Sequence, residues 1–229
     1  VLFRSEKDCA LLVDTGHALH GPSLMAALAE TLGGRKLFVL LTRSELDSLG
    51  NLPLLIDAFP GVEVLTTSSL PPTGLIHMRR GSRADVPVHY IGTDMPLSAL
   101  GFARLRALNP VIKLLGTCWA HDERTQTLFS ADFFGAALMQ TQNDPALLRD
   151  ASGLPSREAI KRTILAKFSW LARAEIHEVL AIWDRAFATL KPNVIAPKHG
   201  RPIVGEALVA RTIEDYRAAV AMCREAVRA

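Results

Sequence analysis

The chain has 229 residues, 49% of them apolar and 21% charged, with a formal net charge of +3. That is the profile of a globular protein with a full core, sized for one large domain. Lysines and arginines are spread along the chain, and no apolar run approaches the roughly 18 residues of a membrane span, so neither a nucleic-acid surface nor a membrane partner is indicated.

The opening VLFRSEKDCALLVDTG reads as the end of a hairpin and not as a signal peptide, so further sequence upstream is expected. Its strand, Cys9–Val13, closes on Asp14-Thr15-Gly16. A helix pattern runs from Ser23 to Leu32, with Ser23 as N-cap and Gly33-Gly34 as the stop. The strand Lys36–Leu41 then leads directly into LTRSELDSLGNL, which gathers Arg43, Glu45, Asp47 and Ser48 on one strand-to-loop corner. Asn51–Phe59 reads as a short helix halted by Pro60-Gly61, and Val62–Thr66 as another strand.

The middle of the chain changes character. It holds Pro71-Pro72, a basic turn with Arg79, Arg80 and Arg83, and a strand over Val86–Ile91. A helix is expected over Leu97–Leu108, then strands at Val111–Leu115, Cys118–Ala120 and Thr127–Ser130, with a hairpin turn at Asp122-Glu123-Arg124-Thr125. From Ser156 to Leu190 no proline or glycine interrupts a helical pattern, which makes one long helix or two abutting ones. Pro192 ends it, a last strand spans Asn193–Ala196 before Pro197-Lys198-His199-Gly200, and an amphipathic helix closes the chain from Gly205.

The two halves share a plan of strands, then helix, each ending on a polar loop. This suits an α/β (α+β) four-layer αββα sandwich, one domain over residues 1–229, whose loops meet along a sheet edge. Periodicity alone leaves a doubly wound α/β sheet as an alternative. Cys9, Cys118 and Cys223 lie far apart without C-x-x-C spacing, which argues for reduced thiols in the cytoplasm, each a small buried hydrophobe. No G-x-S-x-G elbow, phosphate loop or G-x-G-x-x-G is present.

Several landmarks fall in one order: LLVDTG before a helix, a strand running into RSELDSLGNL, then LFSADFFG and IAPKHG. The ordered set resembles the metallo-β-lactamase fold, and within it the di-iron domain of flavodiiron proteins and their flavin-free oxygen-binding relatives. LFSADFFG is the most specific piece, matching the family's Leu-Phe-Ser-x-Asp-x-Phe-Gly. The resemblance puts the family's His-x-Glu-x-Asp-His ligands at Arg43, Glu45, Asp47 and Ser48, its third histidine at Lys113, its bridging aspartate at Asp132 and its last histidine at His199. Four ligand types are thus retained, at Glu45, Asp47, Asp132 and His199. Arg43, Ser48 and Lys113 cannot replace imidazole.

In the family's arrangement one iron takes the first and third histidines, the glutamate and the shared aspartate. Here that half-site keeps Glu45 and Asp132 beside two cations, and a charged Arg43 neither ligates nor tolerates a divalent ion. Arg43 and Lys113 are expected to stand in for the missing charge as a salt-bridge cluster. The second half-site keeps Asp47, Asp132 and His199, a set able to hold one iron or zinc ion. The resemblance therefore implies no metal or one metal per chain, no flavin bound by this chain, and a homodimer with a protein partner or electron donor. The favoured role is non-catalytic: a sensor, a partner subunit or a binding pocket. Two rivals stand beside it: a mononuclear metal-dependent enzyme, hydrolase or oxidoreductase, on Asp47, Asp132 and His199; and a di-iron O2 or NO reductase recruiting His17, His20 or His121. The plainer readings are loop residues for His17 and His20, a turn residue for His121, a solvated helix residue for His177, and core or dimer contacts for Trp170 and Trp183.

Overall fold

A computed structural model describes residues 2–69, 72, 86–92, 94–114 and 116–224. The chain folds as two compact units: Val1–Asn109 with Leu115–Ala120, and Pro110–Leu114 with His121–Ala229. The basic turn expected at Arg79, Arg80 and Arg83 lies outside the described residues.

The first unit is built on apolar runs too continuous to face water. Strands β1 (Leu2–Ser5), β2 (Cys9–Val13), β3 (Lys36–Leu41), β4 (Glu63–Thr66) and β5 (Val88–Tyr90) form one sheet in that order. β1 and β2 make the expected hairpin, and β2 to β5 run parallel. All five residues of β2 and the last five of β3 are buried, as parallel strands covered on both faces require. The helices α1 (Gly21–Thr31) and α3 (Leu52–Ala58) supply a cover. Leu24, Leu28 and Leu32, four apart, line one stripe that packs with Leu52, Leu55, Leu12, Val39 and Val64. Between β3 and α3, the short α2 (Leu46–Leu49) turns the chain.

A second sheet draws on β6 (Met95–Pro96) and β7 (Leu105–Leu108), an antiparallel pair in the first unit, and on β8 (Trp119–Asp122), along which the chain passes into the second unit. In the second unit β9 (Thr127–Phe129) runs parallel to β10 (Val194–Ala196), which pairs antiparallel with β11 (Ile203–Val204). Its helices are α4 (Arg157–Lys167), α5 (Ile176–Leu190) and α6 (Glu206–Met222). Ser156 caps α4 by accepting from Ala159 N.

Three local expectations need correction. The helix expected at Leu97–Leu108 is a single 3-10 turn followed by β7, because Gly101 takes φ 94° and the next residues alternate buried Leu105, exposed Arg106, buried Ala107. Residues 111–114 form neither helix nor strand. Ser23 is not a cap: α1 begins two residues earlier, where Pro22 presets the first turn. Of the two forms expected for the long helical run, the structure has the pair of helices, α4 and α5, joined by a 3-10 turn over Ser169–Arg173. All three cysteines are free and buried, and burial pushes the Cys118 thiol up to about 12 and that of Cys223 up to about 11.

One ion cluster ties three strands of the first sheet. Glu63 on β4 accepts from Lys36 on β3 and pairs with His89 on β5, whose Nε2 lies 2.6 Å from Oε2. Burial alone would push the Glu63 carboxyl up, but its hydrogen bonds to Lys36 and His89 outweigh that and hold it below its ordinary value of 4.5. A depressed carboxyl stabilises the fold above its ordinary value, and that contribution is lost as pH falls through the depressed value. Glu63→Gln is therefore expected to lower the urea midpoint near neutral pH, with the gap from the parent closing as acid protonates the Glu63 carboxyl below its ordinary range. A gap of constant size as the pH falls would contradict the ion cluster.

Candidate metal centre

In the first unit the corner after β3 is held from below by the loop after β2. Asp14, at φ 56°, accepts from Thr42 N at 2.8 Å and from Thr42 Oγ1 at 2.6 Å. The Ser48 carbonyl accepts from Thr15 N and from Thr15 Oγ1, and Asn51 donates to the carbonyls of Thr15 and His17. These bonds explain the spacing of DTG and SLGN, since each polar group closes a backbone orphan in the other loop. Above them Glu45 stands at the N-cap of α2, with Asp47 in its first turn. Arg43 donates from its guanidinium to the Glu45 carboxylate, with the Arg43 side chain 7% exposed and that of Glu45 45%. Ser48 is buried. His17, Ser44, Glu45, Leu46, Asp47 and Leu49 line an open hollow of about 440 Å³.

In the second unit, Asp132 and His199 sit on two loops zipped together by their backbones. Ser130 N donates to Ala196 O, Lys198 N to Ala131 O at 2.7 Å, and Arg201 N to Ala137 O at 2.8 Å. Glycines make this approach possible. A Cβ on Gly135 would meet His199 O at 2.8 Å, and one on Gly200, at φ 83°, would meet Gly135 O at 2.7 Å. The last glycines of LFSADFFG and of PKHG are thus steric necessities of one another. Ala131 and Phe134 also hold positive φ, at 49° and 65°, so the loop around Asp132 is locally strained.

The Asp132 carboxylate, 3% exposed, receives two ammonium groups on the same oxygen. Lys167 Nζ lies 2.6 Å from Oδ1 and Lys198 Nζ 3.1 Å from it. His199 Nε2 is 3.8 Å from that oxygen, with its side chain 48% exposed. The neighbour of each partner fixes the pairing. Phe133, next to Asp132, meets Phe168, next to Lys167, edge to face at 5.7 Å. Phe133 and Phe134 belong to a ring cluster with Trp183 and Tyr216, and Tyr216 accepts from Ala136 N at 2.9 Å. Aromatic packing therefore sets the end of α4 against the Asp132 loop.

Of the residues the sequence singled out, the structure joins Arg43 to Glu45 and Asp132 to His199. Lys113 is exposed, in the stretch 111–114. His17 accepts from Leu19 N through Nδ1, at 3.4 Å, at the start of a 3-10 turn, and His20 is exposed. His121 is buried on β8 and is not a turn residue. The turn itself forms as expected, with Asp122 accepting from Arg124 N and Thr125 Oγ1. Trp183 is core, whereas Trp170 is 43% exposed. Sequence reasoning missed Lys167 and Lys198. Lys198 adjoins His199 and could have been suspected; Lys167, in a helix with no motif, gave no signal.

Comparison with solved structures gives the same architecture. Rubredoxin oxygen:oxidoreductase from Desulfovibrio gigas is 19% identical, with a TM-score of 0.68 over 95% of this chain and 52% of that one. A diflavin flavoprotein fragment from Nostoc sp. PCC 7120, described as putative, is 19% identical, with a TM-score of 0.70 over 98% of this chain and 82% of that one. The chemotaxis sensor ODP from T. denticola, in its apo state, is 16% identical, with a TM-score of 0.58 over 90% of this chain and 79% of that one. Metallo-β-lactamases also match. The fold is metallo-β-lactamase-like, of the flavodiiron type. This chain spans about half the length of the Desulfovibrio protein, 52%. No protein-family model and no curated protein sequence matches the chain. Among the described residues no helix is long and apolar enough to cross a membrane.

Two tests address the loop pair. Gly200→Ala is expected to destabilise the fold by about 2–3 kcal/mol, through positive φ and the collision with Gly135 O. Lys198→Met is expected to cost about 2 kcal/mol, below the usual figure for breaking a buried pair because Lys167 still faces Asp132. Urea denaturation of each variant against the parent measures both, and a parental midpoint for either would refute its part of the geometry.

Proposed function

We propose that this chain is a flavodiiron-type domain, one unit of function over residues 1–229, whose di-metal centre is degenerate and whose role is binding, sensing or service as a partner subunit. The observation that carries this reading is the state of Asp132, the family's shared ligand. Its Oδ1 holds two ammonium groups, at 2.6 and 3.1 Å, in a place 97% withdrawn from water by its 3% exposure. Glu45, retained from the other half-site, holds the Arg43 guanidinium. A carboxylate already neutralised by cations gains little from a metal, and a divalent ion beside ammonium or guanidinium groups is repelled. With Arg43, Ser48 and Lys113 at histidine positions, the donor set does not fit two iron ions, and no metal-centred reaction is assigned to it.

The likeness to a chemotaxis sensor gives precedent for a sensing role on this fold, though fold alone does not fix function. The reading includes a homodimer, no flavin on this chain, and a reducing compartment such as the cytoplasm, in keeping with three free cysteines. A second reading keeps one iron or zinc ion on Asp47, Asp132 and His199 and makes the chain a mononuclear enzyme. It is favoured by His199, half exposed, with Nε2 only 3.8 Å from Asp132 Oδ1.

Elemental analysis of protein purified without chelator or metal-affinity tag is expected to find less than about one tenth of an iron per chain. Two irons per chain would overturn the degenerate centre, and one tightly held metal would favour the mononuclear enzyme. Arg43→His with Lys113→His is expected to raise iron uptake; no gain would remove Lys113 from the ligand positions.

A further inference from the structure

The two lysines on Asp132 hold it on unequal terms. Lys198 is 4% exposed, and its own backbone N–H is bonded to Ala131 O at 2.7 Å, so it is built into the loop pair. Lys167 is 31% exposed and stands on the last residue of α4, on a flexible four-carbon stem. Its ammonium lies closer to Oδ1, at 2.6 Å against 3.1 Å for Lys198. A metal ion bound to a carboxylate oxygen sits about 2.0–2.6 Å from it. An ion on Oδ1 would therefore contend with Lys167 for the same oxygen and be repelled by its charge. The imidazole of His199, 3.8 Å from Oδ1 and 48% exposed, is a second donor that the same ion could reach.

We infer that Lys167 is a removable gate on Asp132, excluding a divalent transition-metal ion from a latent site that Asp132 and His199 would share, while Lys198 is the permanent counter-ion of the loop. This deepens the degenerate-centre reading and rests on it. The solvent-facing lysine releases at small cost, because its ammonium regains water and its stem regains freedom. The enclosed lysine has no such exit. Removing Lys167 takes one of the two ammonium groups off Asp132 Oδ1 and leaves His199 Nε2 3.8 Å from that oxygen.

The experiment uses the full chain, purified without a metal-affinity tag, and titrates Zn2+ by calorimetry with Co2+ absorption as a second readout. Lys167→Gln is expected to bind one Zn2+ at least about tenfold more tightly than the parent, and to give a Co2+ ligand-field band that the parent lacks. Lys167→Arg, which keeps the charge, is expected to behave as the parent, and Lys167→Gln with His199→Ala to lose the gain. Should Lys167→Gln fail to fold, Lys167→Met retains the stem and drops only the charge. Equal Zn2+ affinity in the parent and in the neutral Lys167 variant, both folded, would overturn the gate and leave the degenerate-centre reading intact. A parent that already carries tightly bound metal would overturn that reading itself.

Discussion

A carboxylate that is 3% exposed must meet positive charge, and in this protein Asp132 meets it from within the chain. Much of the second unit can be understood as serving that pairing. The strained loop at Ala131 and Phe134 presents Asp132, the PKHG loop delivers Lys198, and the Phe133–Phe168 contact sets the end of α4 so that Lys167 arrives on the same oxygen. The glycines at 135 and 200 let the two loops come backbone to backbone. Remove the charge pairing and the loops would enclose an anion without compensation, which the low-dielectric interior penalises heavily. The electrostatics and the steric fit are therefore one device.

The first unit applies the same logic with looser enclosure. Glu45 keeps the Arg43 guanidinium at the corner after β3, and Asp14, Thr15 and Asn51 hold that corner by backbone-directed hydrogen bonds. In both units side-chain cations sit on acidic groups, Arg43 on Glu45 and Lys167 with Lys198 on Asp132.

Much of this was legible in the sequence. Apolar runs at Cys9–Val13 and Lys36–Leu41 were readable as strands, and their burial on both faces in a parallel sheet explains that composition. LFSADFFG and PKHG carried their geometry in glycines whose missing Cβ atoms are needed. The failures have physical causes. Leu97–Leu108 has helical composition, but Gly101 at φ 94° and the alternation after it override propensity. Arg43 pairs with Glu45, two residues along the same corner, and Lys198 lies beside His199 in the PKHG loop, whereas Lys167 comes from a helix that no motif marks. Lys167 reaches the site only because aromatic rings fix where α4 ends, a tertiary fact that local sequence does not encode.

The most direct measurement is anomalous diffraction at the iron edge from crystals of the full chain grown with ferrous iron under anaerobic conditions. The expected result is no anomalous peak beside Asp132, with ammonium density from Lys167 and Lys198 on its Oδ1. A pair of iron peaks flanking Asp132, with both lysines turned away, would contradict it.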